Sequence, residues 1–169
     1  YNRGTIEKCL TRGTVTSTGD RAGGLAGQNY NGTVRTSASL ATVTGKGCVG
    51  GLIGMIEIRD YAQRSVTNCY AQGNVTGNSY VGGLIGRNYV YTGMSTVRNC
   101  YASGLANEGT AAGLIGSNDG RVYNCYYYHE NTGNTIRYAL SLEEMYSESS
   151  YYFWDFDNIW EINDGYPTL

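Results

Sequence analysis

Over roughly the first 130 residues the apolar positions fall in short clusters separated by glycine and polar turns, with no long helical period. The string Gly-Gly-Leu-Ile-Gly or a near copy occurs four times, at Gly23 to Gly27 (with Ala26), Gly50 to Gly54, Gly82 to Gly86 and Ala112 to Gly116. Its leucines, Leu25, Leu52, Leu84 and Leu114, lie 27, 32 and 30 residues apart. Between them runs a second cluster: Val66-Thr67-Asn68-Cys69-Tyr70-Ala71, Val97-Arg98-Asn99-Cys100-Tyr101-Ala102 and Val122-Tyr123-Asn124-Cys125-Tyr126. Ile6 to Leu10 is a weaker copy, and Val34 to Ala38 carries Ser37 where the others have cysteine. A unit of about 30 residues, rich in Val, Thr, Tyr and Gly and poor in helix formers, predicts short strands joined by turns.

The spacing is uneven in an informative way. From each cysteine position to the next leucine the distances are 16, 15, 15 and 14 residues, whereas from each leucine to the next cysteine position they are 12, 17, 16 and 11. One half of the unit is nearly rigid, and the other absorbs the insertions, which in a stacked array map to one edge. Val66 and Cys69 are three apart, so two-residue alternation fails between them and a bend is required near Asn68. Asparagine tolerates the left-handed backbone such a corner needs. Stacked at about 4.8 Å per layer, the leucines and isoleucines form a core that no single unit could build alone.

The Gly-Leu-Ile-Gly strings at Gly51 to Gly54, Gly83 to Gly86 and Gly113 to Gly116, with the intervening Asn-Cys-Tyr-Ala segments, resemble GLUG-motif repeats of bacterial surface proteins. The resemblance implies an extracellular, all-β repeat solenoid, most simply a right-handed parallel β-helix-like coil of four to five layers. Such repeats occur in adhesin-like proteins and beside the catalytic region of IgA1-type metallopeptidases. A spacer or adhesive module, a substrate-positioning accessory domain and a polysaccharide-active β-helix are therefore the functions to separate. Residues 1–136 are assigned to the repeats and 137–169 to a closing segment like those that follow GLUG arrays. In that segment Ser141 and Glu144 form a capping-box pattern for a short helix. Both tryptophans and both phenylalanines lie between Phe153 and Trp160, which predicts an aromatic cap over the solenoid's open end.

The rest of the composition narrows the chemistry. Twelve basic and 14 acidic side chains give a formal charge of −2, so no nucleic-acid partner is expected. No apolar run approaches the roughly 18 to 20 residues that cross a bilayer. Tyr1 falls inside the repeat pattern, so the chain is expected to be a monomeric module of a larger protein, with any targeting signal elsewhere. Cys9, Cys69, Cys100 and Cys125 occupy one position in successive layers, and their Cβ atoms at about 4.8 Å are too far apart for a relaxed disulfide. They are expected as a buried file of free thiols, with Cys48 outside it and unpaired. The single histidine, His129, is expected in a turn; it is not followed by the H-E-x-x-H spacing of a metallopeptidase helix.

No cofactor or metal is expected either. The repeat acids Glu7, Asp20, Glu57, Asp60, Glu108 and Asp119 fall at different positions of the unit. Asp155, Asp157, Glu161 and Asp164 lack calcium-loop spacing. Thr16, Thr44 and Thr76, each seven residues past the cysteine position, predict a solvated strand face. The candidate functional surface is the variable edge. There the insertions Met55 to Arg64 and Arg87 to Ser95 bring together Arg59, Tyr61, Arg64, Arg87, Tyr89 and Tyr91. Tyrosine and arginine dominate interface hot spots, and a host or cell-surface protein or glycan is the expected partner.

Overall fold

The computed structural model describes residues 1–108, 111–128 and 139–169. Short strands coil into four turns, each contributing to four parallel sheets. The long sheet contains Thr33–Ser39, Gln63–Ala71 and Met94–Ala102, flanked by Thr5–Glu7 with Leu10–Thr11 on one side and by Arg121–Tyr123 with Tyr126–Tyr128 on the other. The chain then passes through a second sheet (Thr14–Thr16, Thr42–Thr44, Val75–Thr76, Ala106–Asn107) and a third (Arg21–Gly23, Cys48–Gly50, Val81–Gly82, Ala111–Ala112). A fourth (Ala26–Tyr30, Ile53–Ile58, Ile85–Val90, Ile115–Asn118) completes the turn. The β-solenoid expected from the repeats is therefore the fold.

The leucines stand in one file. Leu25 N–H donates to Leu52 O, Leu52 N–H to Leu84 O and Leu84 N–H to Leu114 O, each at 2.9 Å. Leu52, Leu84 and Leu114 are essentially inaccessible, in one core with Ile53, Ile85, Ile115, Val34, Val66 and Val97. Where the long and third sheets converge, the interior narrows. A Cβ at Gly51 would lie 2.8 Å from that of Ala71, and one at Gly83 would lie 2.9 Å from that of Ala102, so glycine faces alanine in these two layers, while Gly24 faces Ser39 in the layer before. In the last layer Tyr127 takes the alanine's place and lays its ring against Gly113. It closes that end of the core.

The corner forecast at Asn68 is present in every layer. Lys8, Thr36, Asn68, Asn99 and Asn124 all have left-handed φ, of 53°, 46°, 53°, 51° and 49°. The residue after each corner donates its side-chain hydrogen to the carbonyl two residues back: Cys9 to Glu7 (3.3 Å), Ser37 to Arg35 (2.8 Å), Cys69 to Thr67 (3.2 Å), Cys100 to Arg98 (3.1 Å) and Cys125 to Tyr123 (3.1 Å). Cysteine and serine are thus interchangeable here as small donors. All five cysteines are free. Cys69, Cys100 and Cys125 are fully buried, but Cys9 is exposed because it lies in the first layer and has a neighbour on one side only. Burial, with the adjacent thiols of Cys125 and Cys69, pushes the Cys100 thiol well above its ordinary pKa.

The closing segment differs from expectation in where it lies. Ser141 caps the helix Leu142–Met145 with the reciprocal Glu144 bonds of a capping box, as forecast. The aromatic tract, however, covers a flank of the solenoid instead of its end. Tyr70, Tyr101 and Tyr126, alternating with inward Cys and Ala, point outward in register from the long sheet. Tyr151, Trp154, Trp160 and Tyr166 pack over them. The strap is fastened by Trp154 Nε1 donating to Asn124 O (2.9 Å) and by the Tyr101 hydroxyl donating to Pro167 O (2.7 Å). The 136/137 boundary and His129 lie outside the described residues. No helix among the described residues is long and apolar enough to cross a membrane.

Two outcomes follow from these contacts. Thr36 is β-branched yet left-handed, so Thr36→Asn is expected to stabilise the fold by about 1 kcal/mol in chemical denaturation; a loss of stability would contradict the strained corner. Burial raises the phenols of Tyr101 and Tyr151 far above their ordinary value and that of Tyr166 to about 12. The folded strap therefore prefers neutral tyrosines, while the unfolded chain ionises near pH 10. Strap stability is complete below about pH 10 and is lost as pH rises from there through the folded values. Trp154 and Trp160 emission should be constant up to pH 9 and shift to the red above about pH 10; buried emission persisting past pH 12 would contradict this.

Candidate functional site

The insertions form paired structure where the spacing suggested an edge of loops. Met55 to Ile58 and Arg87 to Val90 are strand, paired in parallel as Arg87–Met55, Asn88–Ile56, Tyr89–Glu57 and Val90–Ile58. The two insertions are neighbours, as expected. The added length goes into longer strands of the fourth and long sheets and into the turns that join them. Ile56 and Ile58 are buried in the core, so the residues between them on the chain face outward. Gln28, Met55 and Arg87 make one outward file, and Tyr30, Glu57 and Tyr89 the next.

A chain of polar contacts crosses this face. Arg21 Nη1 donates to Gln28 Oε1 (2.5 Å), Gln28 Nε2 donates to Glu57 Oε2 (2.7 Å), and Arg59 Nε donates to Glu57 Oε1 (2.5 Å). Gln28 and Glu57 are buried although they face outward, because longer side chains cover them. The hydrogen bond to Glu57 raises the Arg59 pKa and fixes its guanidinium, which lies 5.1 Å from the centre of the Tyr91 ring. Arg87 lies between Tyr80 (5.0 Å) and Tyr89 (4.8 Å), and Arg3 lies over Tyr30 (4.9 Å). The result is an outward array of guanidiniums packed on tyrosine rings, a geometry that favours both partners electrostatically.

The six candidates divide into three groups. Arg59 with Tyr91, and Arg87 with Tyr89, belong to the array. Arg64 pairs with Asp60; burial opposes ionisation of Asp60, but the Arg64 and Ala62 hydrogen bonds hold its carboxyl below the usual range. Tyr61 stands apart on the turn, 84% exposed at φ 57°. Arg3, Arg21, Gln28, Tyr30, Glu57 and Tyr80 were not among the candidates. Part of the signal was present: Tyr30, Glu57 and Tyr89 each fall five residues after a leucine of the repeat, and Gln28, Met55 and Arg87 three after.

Thr16, Thr44 and Thr76 are in register on the second sheet, with Thr16 and Thr44 exposed. Cys48 is buried beside Arg21 in the third sheet, and burial raises its pKa despite the nearby Arg87 and Arg21.

The family model of the GLUG motif matches residues 77–107. That span is one complete turn, from the second sheet through the leucine and the Asn-Cys-Tyr corner and back, and its register recurs in the turns on either side. The chain is a GLUG-motif repeat protein. No curated protein and no solved structure matches it. In this GLUG solenoid the Arg–Tyr array lies outside the core files, on positions the fold leaves free to vary.

Proposed function

We propose that the chain is a non-catalytic, extracellular repeat module of a bacterial surface or secreted protein, acting as spacer and adhesive scaffold. The Arg–Tyr face of its fourth sheet is the partner-binding surface. The observation that carries this reading is the array itself: Arg59 on Tyr91 and Arg87 between Tyr80 and Tyr89, set on the fourth sheet and the turns that border it, beside the Gln28–Glu57 contact. Side chains already held in place lose little freedom when a partner docks, and tyrosine and arginine supply broad apolar contact together with directed hydrogen bonds. Glu57, the one carboxylate among the buried side chains described, is committed to Gln28 and Arg59. That commitment weighs against its use as a catalytic acid or base. A host or cell-surface protein or glycan suits the surface, with aromatic rings to stack and guanidiniums to bond.

The test is a glycan and protein binding array on the purified chain, repeated with Tyr89→Ala/Tyr91→Ala. The double variant is expected to keep its circular dichroism and thermal midpoint and to bind at least about tenfold more weakly. A variant that folds and binds every partner as the parent does would remove this face from the function.

A further inference from the structure

The tyrosine file under the strap is incomplete. Tyr126, Tyr101 and Tyr70 occupy one register position in successive layers, but the next two positions are Ala38 and Leu10. Where the rings stop, the strap no longer closes on the sheet. A groove of about 490 Å³ opens there, floored by Leu10, Ala38 and Tyr70 and walled by Ile159 and Leu169. Leu10 is 51% exposed. The rim is basic: Lys8 lines it, and Arg12 is near enough to act on the Tyr70 hydroxyl.

The other end of the same face carries the opposite features. The strap turns beside Tyr126, where Tyr152 N–H donates to the Tyr126 hydroxyl at 3.1 Å. Phe153 follows at φ 64°, an unfavourable backbone for a bulky residue, and its ring is 86% exposed next to Tyr152 at 69%. Large apolar groups held out in solvent mark a contact surface. Glu143, Glu144 and Tyr152 line one hollow there. One end thus presents an aromatic knob in an acidic setting, and the other an apolar groove with a basic rim.

We propose that copies of this chain associate head to tail, the Tyr152–Phe153 turn of one copy seating in the Leu10–Ala38–Tyr70 groove of the next. Apolar knob meets apolar groove, and acidic surroundings meet a basic rim. A ring in the groove continues the file that ends at Tyr70. Joined head to tail in an open array, instead of reciprocally in a closed pair, unlike surfaces meet and a free knob and a free groove remain at the ends of each assembly. Growth therefore does not stop at a dimer. The monomeric module expected from the sequence becomes a stacking unit.

Sedimentation velocity and light scattering on the full chain test this across a concentration series. The parent is expected to form species beyond dimers, and less so at high salt. Phe153→Asp and Leu10→Asp, both at exposed positions, should each stay monomeric. Mixing them should give dimers and nothing larger, because the mixture retains one intact knob and one intact groove. Ala38→Tyr, which fills the groove from within, should also abolish association while preserving the fold. A parent that remains monomeric, a folded Phe153→Asp or Ala38→Tyr that associates as the parent does, or mixed variants that grow past dimers would each overturn the proposal. So would capture of an unrelated partner by the groove without self-association.

Discussion

In-register stacking is the constraint on which the molecule depends: each turn must retrace the backbone of its neighbour at the strand spacing of about 4.8 Å. The leucine corner shows how strictly this holds. The Leu52 carbonyl accepts from both Leu25 and Ala26, the Leu84 carbonyl from Leu52 and Ile53, and the Leu114 carbonyl from Leu84 and Ile85. A corner that departed from the common path would leave two buried amides unpaired in its neighbour, each costing about 1 to 3 kcal/mol. The glycine–alanine contacts at Gly51 and Gly83 and the donor after each left-handed corner are further consequences. Each lets one backbone path repeat at close quarters.

The same constraint orders the outside without dictating its chemistry. Outward positions also fall into files, so a residue type recurring at one offset becomes a stripe. On the long sheet that stripe is Tyr70, Tyr101 and Tyr126, which a strap of tryptophans and tyrosines covers. On the fourth sheet it is a mixed file of Arg, Tyr, Gln and Glu that the strap does not reach. One flank of the solenoid is thus committed to stability. The other displays organised polar and aromatic groups at no cost to the core.

Much of this was legible in the residues. The recurrence of Leu25, Leu52, Leu84 and Leu114 within the same short glycine string, 27, 32 and 30 residues apart, marked the layers. The three-residue step from Val66 to Cys69 forced a corner, and asparagine named its handedness. The corner's full membership was harder to see, because Lys8 and Thr36 adopt the same left-handed angle under pressure from their neighbours and against their own preference. The strap's position was not legible: an aromatic-rich tail says that something apolar is covered, while the choice of flank over end rests on Tyr70 pointing away from Cys69 and Ala71. The candidate surface was found through its insertions, but Tyr30 and Glu57 escaped notice since they lie outside or within them without resembling a hot spot. Only pairing across layers brings Gln28 to Glu57, and only the bend around the leucine brings Tyr80 to Arg87 within one layer.

Amide hydrogen exchange followed residue by residue tests the stacking account most directly. If the leucine ladder holds the layers together, the Leu52 and Leu84 amides open only when the whole stack does. They should then be among the slowest in the chain and exchange at matching rates. Leu52 and Leu84 amides that exchange as fast as those of the exposed turn at Asp60 and Tyr61 would contradict it.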